Sequence, residues 1–369
     1  MATLIVPDPV ARLPWRMLLV VLAIGVFGGM CLFSAAGGSF RPWALNHFVR
    51  FFAFFAMAIT MSYVRPQTYR DLGLPAYVAV LILLVIVFAV GAVAGGARSW
   101  IDLGIIRLQP SELIKPVLVL VLANYYAGLP ASELGRWNAI LPPAILTLIP
   151  VAMVLVQPDL GTALLLVFSA ATVMFLAGLP LRYFIGAGLA VAAALPIVYT
   201  LLMPHQQRRV SILLDPAADP LGAGYHITQS KIAIGSGGLW GKGFLNGTQS
   251  HLQYLPEQHT DFIFPAMAEE WGLAGGLFLI VCFLALFRWG MNVAGRARSR
   301  FGRLTAAGLT MTIFFYFAVN LLMVMGLAPV VGIPLPLFSY GGSAMMTVMI
   351  CLGILMSLDR EQRLRRGGG

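Results

Sequence analysis

The chain has 369 residues, of which 59% are hydrophobic and only 10% charged, and its mean hydropathy is +0.87. Soluble domains carry about 25% charged residues, so the composition excludes a soluble globular protein and points to an all-α polytopic membrane protein. The net charge of +10 sits in short loops and in the tail, as membrane topology requires, and does not call for a nucleic-acid partner.

Ten apolar runs follow one another, at 17–36, 47–64, 74–94, 111–128, 138–156, 160–178, 182–202, 263–287, 304–325 and 338–357, each near the length that crosses a bilayer core of about 30 Å. The first lacks a small-residue cleavage site and reads as a retained span. Cys31, Cys282 and Cys351 all fall inside apolar runs, where cysteine behaves as a small hydrophobe, so neither a disulfide nor a metal site is expected from them. Most of the 24 lysines and arginines fall on one side of the membrane if both termini are cytoplasmic, with 358–369 as a basic inner tail. Residues 1–369 then read as a single membrane domain, and 203–262 becomes one long outer loop between spans seven and eight. Loops of that length in compact proteins are usually functional. Ile227, Ile232 and Ile234 in it have helical spacing, which predicts a short helix at the membrane surface over 225–234.

The polar residues concentrate on this outer side. Residues 225–276 carry His226, Gln229, Ser230, Lys231, Lys242, Gln249, Glu257, His259, Asp261, Glu269 and Glu270. Asp261 stands where the loop enters span eight, a position that suits a helix cap and equally a carboxylate that accepts a substrate proton or holds a cation. Glu269 and Glu270 read either as structural partners of Lys or Arg or as an ionisable pair lining a cavity. The segment 95–116 brings Arg98 to the entrance of span four, where Glu112 and Lys115 share a helix face and have the spacing of a structural ion pair. QPDLGT at 157–162 is a tight turn holding Asp159. Asn320, inside span nine, is expected to bond to a neighbouring helix. The proline-rich GLAPVVGIPLPLFSYGGSAMM at 326–346 cannot be one regular helix, and irregular backbone at depth is tolerated where it lines a cavity, which Ser339 and Tyr340 would face. GSGGLWGKG lacks a phosphate-loop context, so nucleotide binding is rejected.

These motifs, RLQPSELIK, QPDLGTA, LLDPAADPLGAGYHITQSKIAIGSGGLWGKG, LPEQHTDFIF with AEEWG, and GIPLPLFSYGGS, run in one order along nearly the whole chain. Together they resemble the SEDS family (shape, elongation, division and sporulation), and within it the cell-elongation branch. The resemblance implies a ten-span peptidoglycan glycosyltransferase that polymerises lipid II on the outer face of the bacterial cytoplasmic (inner) membrane. It also implies a class B penicillin-binding protein, a transpeptidase, as partner. Asp261 matches the family's essential aspartate, Glu112 and Lys115 its QPSE-x-x-K pair, and Arg98 its basic position before tryptophan. Two departures stand out: Gln207 replaces an arginine before Arg209, and Leu322 replaces a glycine in span nine.

In the reaction so implied, Asp261 activates the acceptor hydroxyl or holds a divalent cation, Mg or Mn, and no organic cofactor is needed. The candidate substrate-binding set is Arg98, Glu112, Lys115, Asp159, Arg209, Gln229, Ser230, Lys231, Lys242, His259, Ser339 and Tyr340, its cations suiting pyrophosphate. The competing reading is a lipid II flippase, which would spread polar groups along the spans and break helices in matching halves. The concentration of polar residues on one face favours the enzyme.

Overall fold

The computed structural model describes residues 13–90, 92–94, 97–102, 107–201, 207, 223–251 and 257–366. Each predicted apolar run is a helix: α1 Trp15–Ala35, α2 Trp43–Met61, α3 Pro66–Val90, α4 Pro110–Gly128, α5 Trp137–Val156, α6 Leu160–Leu176 and α7 Leu181–Leu201, followed, beyond the outer interval, by α10 Ile263–Arg296, α11 Arg300–Val324 and α12 Gly342–Arg366. The interval itself holds α8 Ala223–Ser236 and α9 Thr248–His251. Seven of these helices are long and apolar enough to cross a membrane, α6 and α7 are shorter apolar helices, and α4 carries Glu112 and Lys115 in its first turns. The chain is a multi-pass membrane protein.

Helices α4, α11 and α12 form the interior. Gly308 of α11 lies where a Cβ would meet Val119 of α4 and Val173 of α6, the small-residue contact by which membrane helices approach closely. The outer helices α3, α5 and α7 instead expose Val78, Ile82 and Val85, Leu141, Ile145 and Leu148, and Leu189. Those stripes have helical spacing and suit lipid.

Three features depart from a plain hydropathy reading. Residues 92–94, 97–102 and 107–108 form a small antiparallel sheet, with β1 Ala92–Ala94 paired to β2 Ala97–Asp102 and β2 to β3 Arg107–Leu108, where the end of span three and a loop were expected. Pro110 at the first position of α4 then starts the next span. Helix α10 runs past 287 to Arg296 and is broken at Gly272, whose φ of 61° and ψ of −158° favour glycine. At the break, Leu273 and Ala274 donate to the carbonyls of Gly238 and Leu239, and Lys242 and Gly243 donate to those of Glu269 and Glu270. The glycine-rich loop is thus threaded into the helix as an extra set of backbone partners. The last span begins at Gly342, four residues later than expected, because 335–341 is held in turns.

The surface helix predicted over 225–234 is α8. Ile227, Ser230 and Ala233 are buried against the bundle while Lys231 and Ile232 are exposed. Leu322, the departure in span nine, points outward and is 40% exposed, so its larger side chain costs no packing.

Candidate active site at the outer end of the bundle

Asp261 sits in the turn that opens α10. Glu257, at a φ of 52°, accepts at its carbonyl from the backbone N–H groups of Thr260 and Phe262, and the Thr260 hydroxyl donates to its carboxylate at 3.0 Å. From the last turns of α11, Asn320 Nδ2 donates both to the Asp261 carbonyl at 2.9 Å and to the Ile333 carbonyl at 2.7 Å. One span therefore pins the Asp261 turn to the proline-rich segment. The Asp261 carboxylate accepts no hydrogen bond from any described residue, and it opens into a cavity of about 360 Å³. Close packing around it, and then the charge of Glu257, push its carboxyl up to about 7, where a base is about half ionised near neutral pH.

Three other segments complete the wall. Gln109 Nε2 donates to Asp159 at 3.1 Å, and the other oxygen of Asp159 caps α6 by accepting from Thr162 N at 2.9 Å. Below them Lys115 is wholly buried, donating to Glu112 at 2.6 Å and to Tyr316 Oη at 2.5 Å, while the Tyr316 hydroxyl donates to the second Glu112 oxygen. This closed triad crosses from α4 to α11. The third wall is 332–344. Tyr340 lines the cavity and its N–H donates to the His259 carbonyl at 2.9 Å. The His259 ring stacks on Trp43 at 4.4 Å, and burial lowers its basicity against the opposing pull of Glu257. The Arg50 guanidinium lies 5.0 Å from the centre of the Tyr340 ring.

The cavity thus brings together Glu112, Asp159, Asp261 and Tyr340 of the expected set, with Lys115 and His259 packed directly behind the wall. Other candidates are committed elsewhere. Lys242 pairs with Glu269 at 2.5 Å, and Glu269 also accepts from the Thr248 hydroxyl and from the backbone of Thr248 and Gln249. Glu270 accepts from Ser34. The two carboxylates therefore face different partners and do not form a pair. Ser230 donates to the Val324 carbonyl at 2.5 Å, tying α8 to α11. Ser339 was expected to face the cavity; it is instead 2% exposed, its Oγ accepting from Leu335 N at 2.8 Å, because the turn needs an acceptor there. Gln229 and Lys231 lie on α8, Lys231 on its exposed side. Arg98 lies on β2, with its side chain outside the described residues, as is Arg209 altogether. Asn320 bonds to loop carbonyls and not to a neighbouring helix.

Sequence reasoning missed Gln109, Glu257 and Tyr316 as members of the wall. Gln109 is the first residue of the QPSE motif and was within reach, whereas a tyrosine in mid-span carries no signal of its own. Among the described residues no three His, Cys, Asp or Glu side chains converge as a metal cage.

A family model described as "Cell cycle protein", spanning FtsW, RodA and SpoVE, matches residues 13–364. The chain belongs to this family. It is 44% identical to the peptidoglycan glycosyltransferase MrdB of Escherichia coli K12 over 94% of each chain, and 30% identical to the peptidoglycan glycosyltransferase RodA of Treponema pallidum over 96% of this chain and 99% of that one. Among solved structures it is similar to a chain of a peptidoglycan synthase complex that coordinates polymerisation and crosslinking, with a TM-score of 0.82, 33% identity and coverage of 95% and 98%. It is also similar to Thermus thermophilus RodA, with a TM-score of 0.72, 30% identity and coverage of 95% and 97%.

Proposed function

We propose that the cavity around Asp261 is where this chain, a membrane-embedded peptidoglycan glycosyltransferase, joins lipid II units into glycan strands. The carrying observation is that Asp261 is a carboxylate without a partner among the described residues, lining a cavity built from four separate segments, with its carboxyl pushed by burial up to about 7. Asp261 takes the proton of the acceptor sugar's 4-hydroxyl as that oxygen attacks C1 of the donor. The new C1–O bond forms with inversion as the C1–O bond to undecaprenyl pyrophosphate breaks, and its electron pair leaves on the phosphate. Asp261 then passes its proton to water. Tyr340 and the Asp159–Gln109 pair offer hydrogen bonds to sugar hydroxyls, and the Glu112–Lys115–Tyr316 triad holds the wall in place.

A pyrophosphate meets excess negative charge here. The described lining includes Glu112, Asp159, Glu257 and Asp261 but no Lys or Arg, and Lys115 behind it offsets only Glu112. A hard cation commonly takes one or two protein carboxylates and completes its shell from phosphate oxygens and water, so the absence of a three-ligand cage fits a Mg or Mn ion brought in with the substrate. Asp261 would be its protein ligand in the alternative in which it holds the cation and does not act as the base, and the ion would then neutralise charge on the leaving pyrophosphate.

The excess of arginines on the opposite side supports cytoplasmic termini and a cavity at the outer face of the cytoplasmic membrane. The likeness to a chain from a synthase complex supports a class B penicillin-binding protein as the crosslinking partner during cell elongation. The test is to incubate purified lipid II with the detergent-solubilised chain and its cognate partner. Glycan strands with release of undecaprenyl pyrophosphate, lost on chelation of divalent metal, are expected. A folded, partnered preparation that yields no strands would overturn the reading.

A further inference from the structure

The end of the bundle remote from Asp261 carries a second concavity, of about 750 Å³, between α1, α10 and α12. Arg288 and Arg296 line it, 27 and 35 positions along the chain from Asp261. At 1.5 Å per helical residue the unbroken stretch from Gly272 to Arg296 alone spans about 36 Å, more than the hydrocarbon core of about 30 Å. The groove therefore opens at the opposite boundary of the membrane.

Its chemistry is that of an anion site joined to an apolar trough. Arg16, Arg288 and Arg296 are exposed and, among the described residues, have no carboxylate partner, whereas Arg363 is paired with Asp359 at 2.8 Å. Three helices thus contribute cations of which one is neutralised within the protein. The Trp289 ring lies beside them and forms part of the groove wall. Toward the membrane centre from Arg16 and Arg288, Val20 and the exposed Ala285 line the groove, with Met17 beside them, and give it an apolar side. Free phosphate would use only the arginines. An occupant with an anionic head and an acyl tail uses the arginines and the apolar side at once.

We infer that the groove between α1 and α10 binds an anionic phospholipid of the inner leaflet, its phosphate held by Arg16, Arg288 and Arg296 and an acyl chain along Met17 and Val20. The juxtaposition of unpaired arginines with an apolar trough at the membrane boundary distinguishes it from scattered inner-side charge, since cations in a concave basic site act on one headgroup.

The test uses the whole chain, purified in a neutral detergent and titrated with phosphatidylglycerol or with phosphatidylcholine of the same acyl chains, bound lipid being counted by native mass spectrometry. Wild type should retain phosphatidylglycerol in preference, and Arg288→Gln with Arg296→Gln should reduce that preference by about fivefold for each arginine removed. Arg288→Lys with Arg296→Lys should keep most of it. Equal retention of the two lipids by wild type would overturn the site even if the glutamine variant failed to fold. Undiminished preference in a folded glutamine variant would also overturn it. Competition by inorganic phosphate at equal concentration would mean a free-anion site and not a lipid site.

Discussion

Asp261 and Glu269 stand eight residues apart, on either side of the entry to one helix, and in the sequence both are outer-side carboxylates with basic residues nearby. The structure treats them in opposite ways. Glu269 is saturated: Lys242, the Thr248 hydroxyl and two backbone N–H groups all converge on it, and through them it anchors the loop that threads the break at Gly272. Asp261 is held only by its backbone, through Asn320, and its carboxylate is left to the cavity. A carboxylate satisfied by the protein fixes architecture, while one left unsatisfied beside a cavity is available to a ligand. The Glu112–Lys115–Tyr316 triad lies between these extremes, lining the cavity yet closed upon itself.

The contrast can be broken most forcefully at the triad. Lys115→Met should leave Glu112 as a buried, uncompensated charge and destabilise the protein by about 3–5 kcal/mol, lowering the melting temperature, and Glu112→Gln added to it should recover much of the loss. No thermal effect from Lys115→Met would mean that the triad is not a buried structural unit. A smaller effect is expected from Glu269→Gln, which weakens charge-assisted bonds worth about 1–3 kcal/mol. It should lower the melting temperature while glycan synthesis at a permissive temperature persists. Loss of synthesis with an unchanged melting temperature would move Glu269 into the reaction.

The smallest and sharpest prediction concerns pH. Asp261 must be ionised to act as a base, and its carboxyl is raised to about 7, so polymerisation should fall tenfold per unit as pH drops below that value. Because its folded carboxyl is raised above the ordinary aspartate range, ionising it costs stability, and this cost appears as pH rises from about 4 and is complete above about 7. Glu257→Gln removes the neighbouring charge that contributes to the shift, so the acid limb should move to lower pH. A limb that stays in place would detach the two carboxylates.

The ten apolar runs were legible because a bilayer filters length and hydropathy directly, and each of them is a helix, seven of them long and apolar enough to cross a membrane among the described residues. The sheet at 92–108 was legible in part: two glycines at 95 and 96 between short runs are a hairpin signal, masked by the apolar run that leads into them. Extension of α10 to Arg296 was missed because Arg288, Asn292 and Arg296 interrupt the apolar run at its end. The site was legible as motifs but not as partners. Asp261, Glu112, Asp159 and Tyr340 could be picked out one by one, but which lysine is spent on which glutamate depends on where the chain folds back. Lys242 was grouped with the cavity for its charge, and the backbone insertion at Gly272 carries it to Glu269. Asn320 was visible as a polar residue in a span, yet its partners are loop carbonyls that only the tertiary fold brings within 3 Å.

Asp261→Asn keeps the shape of the side chain and removes its basicity, and it is the most direct test. Measured beside wild type with the same partner and lipid II, the variant should lose about 10²- to 10⁴-fold in glycan polymerisation, or more where a cation is lost with the charge, while its melting temperature does not fall. Polymerisation at the wild-type rate by the folded variant would contradict the assignment of Asp261 as the group that serves the reaction.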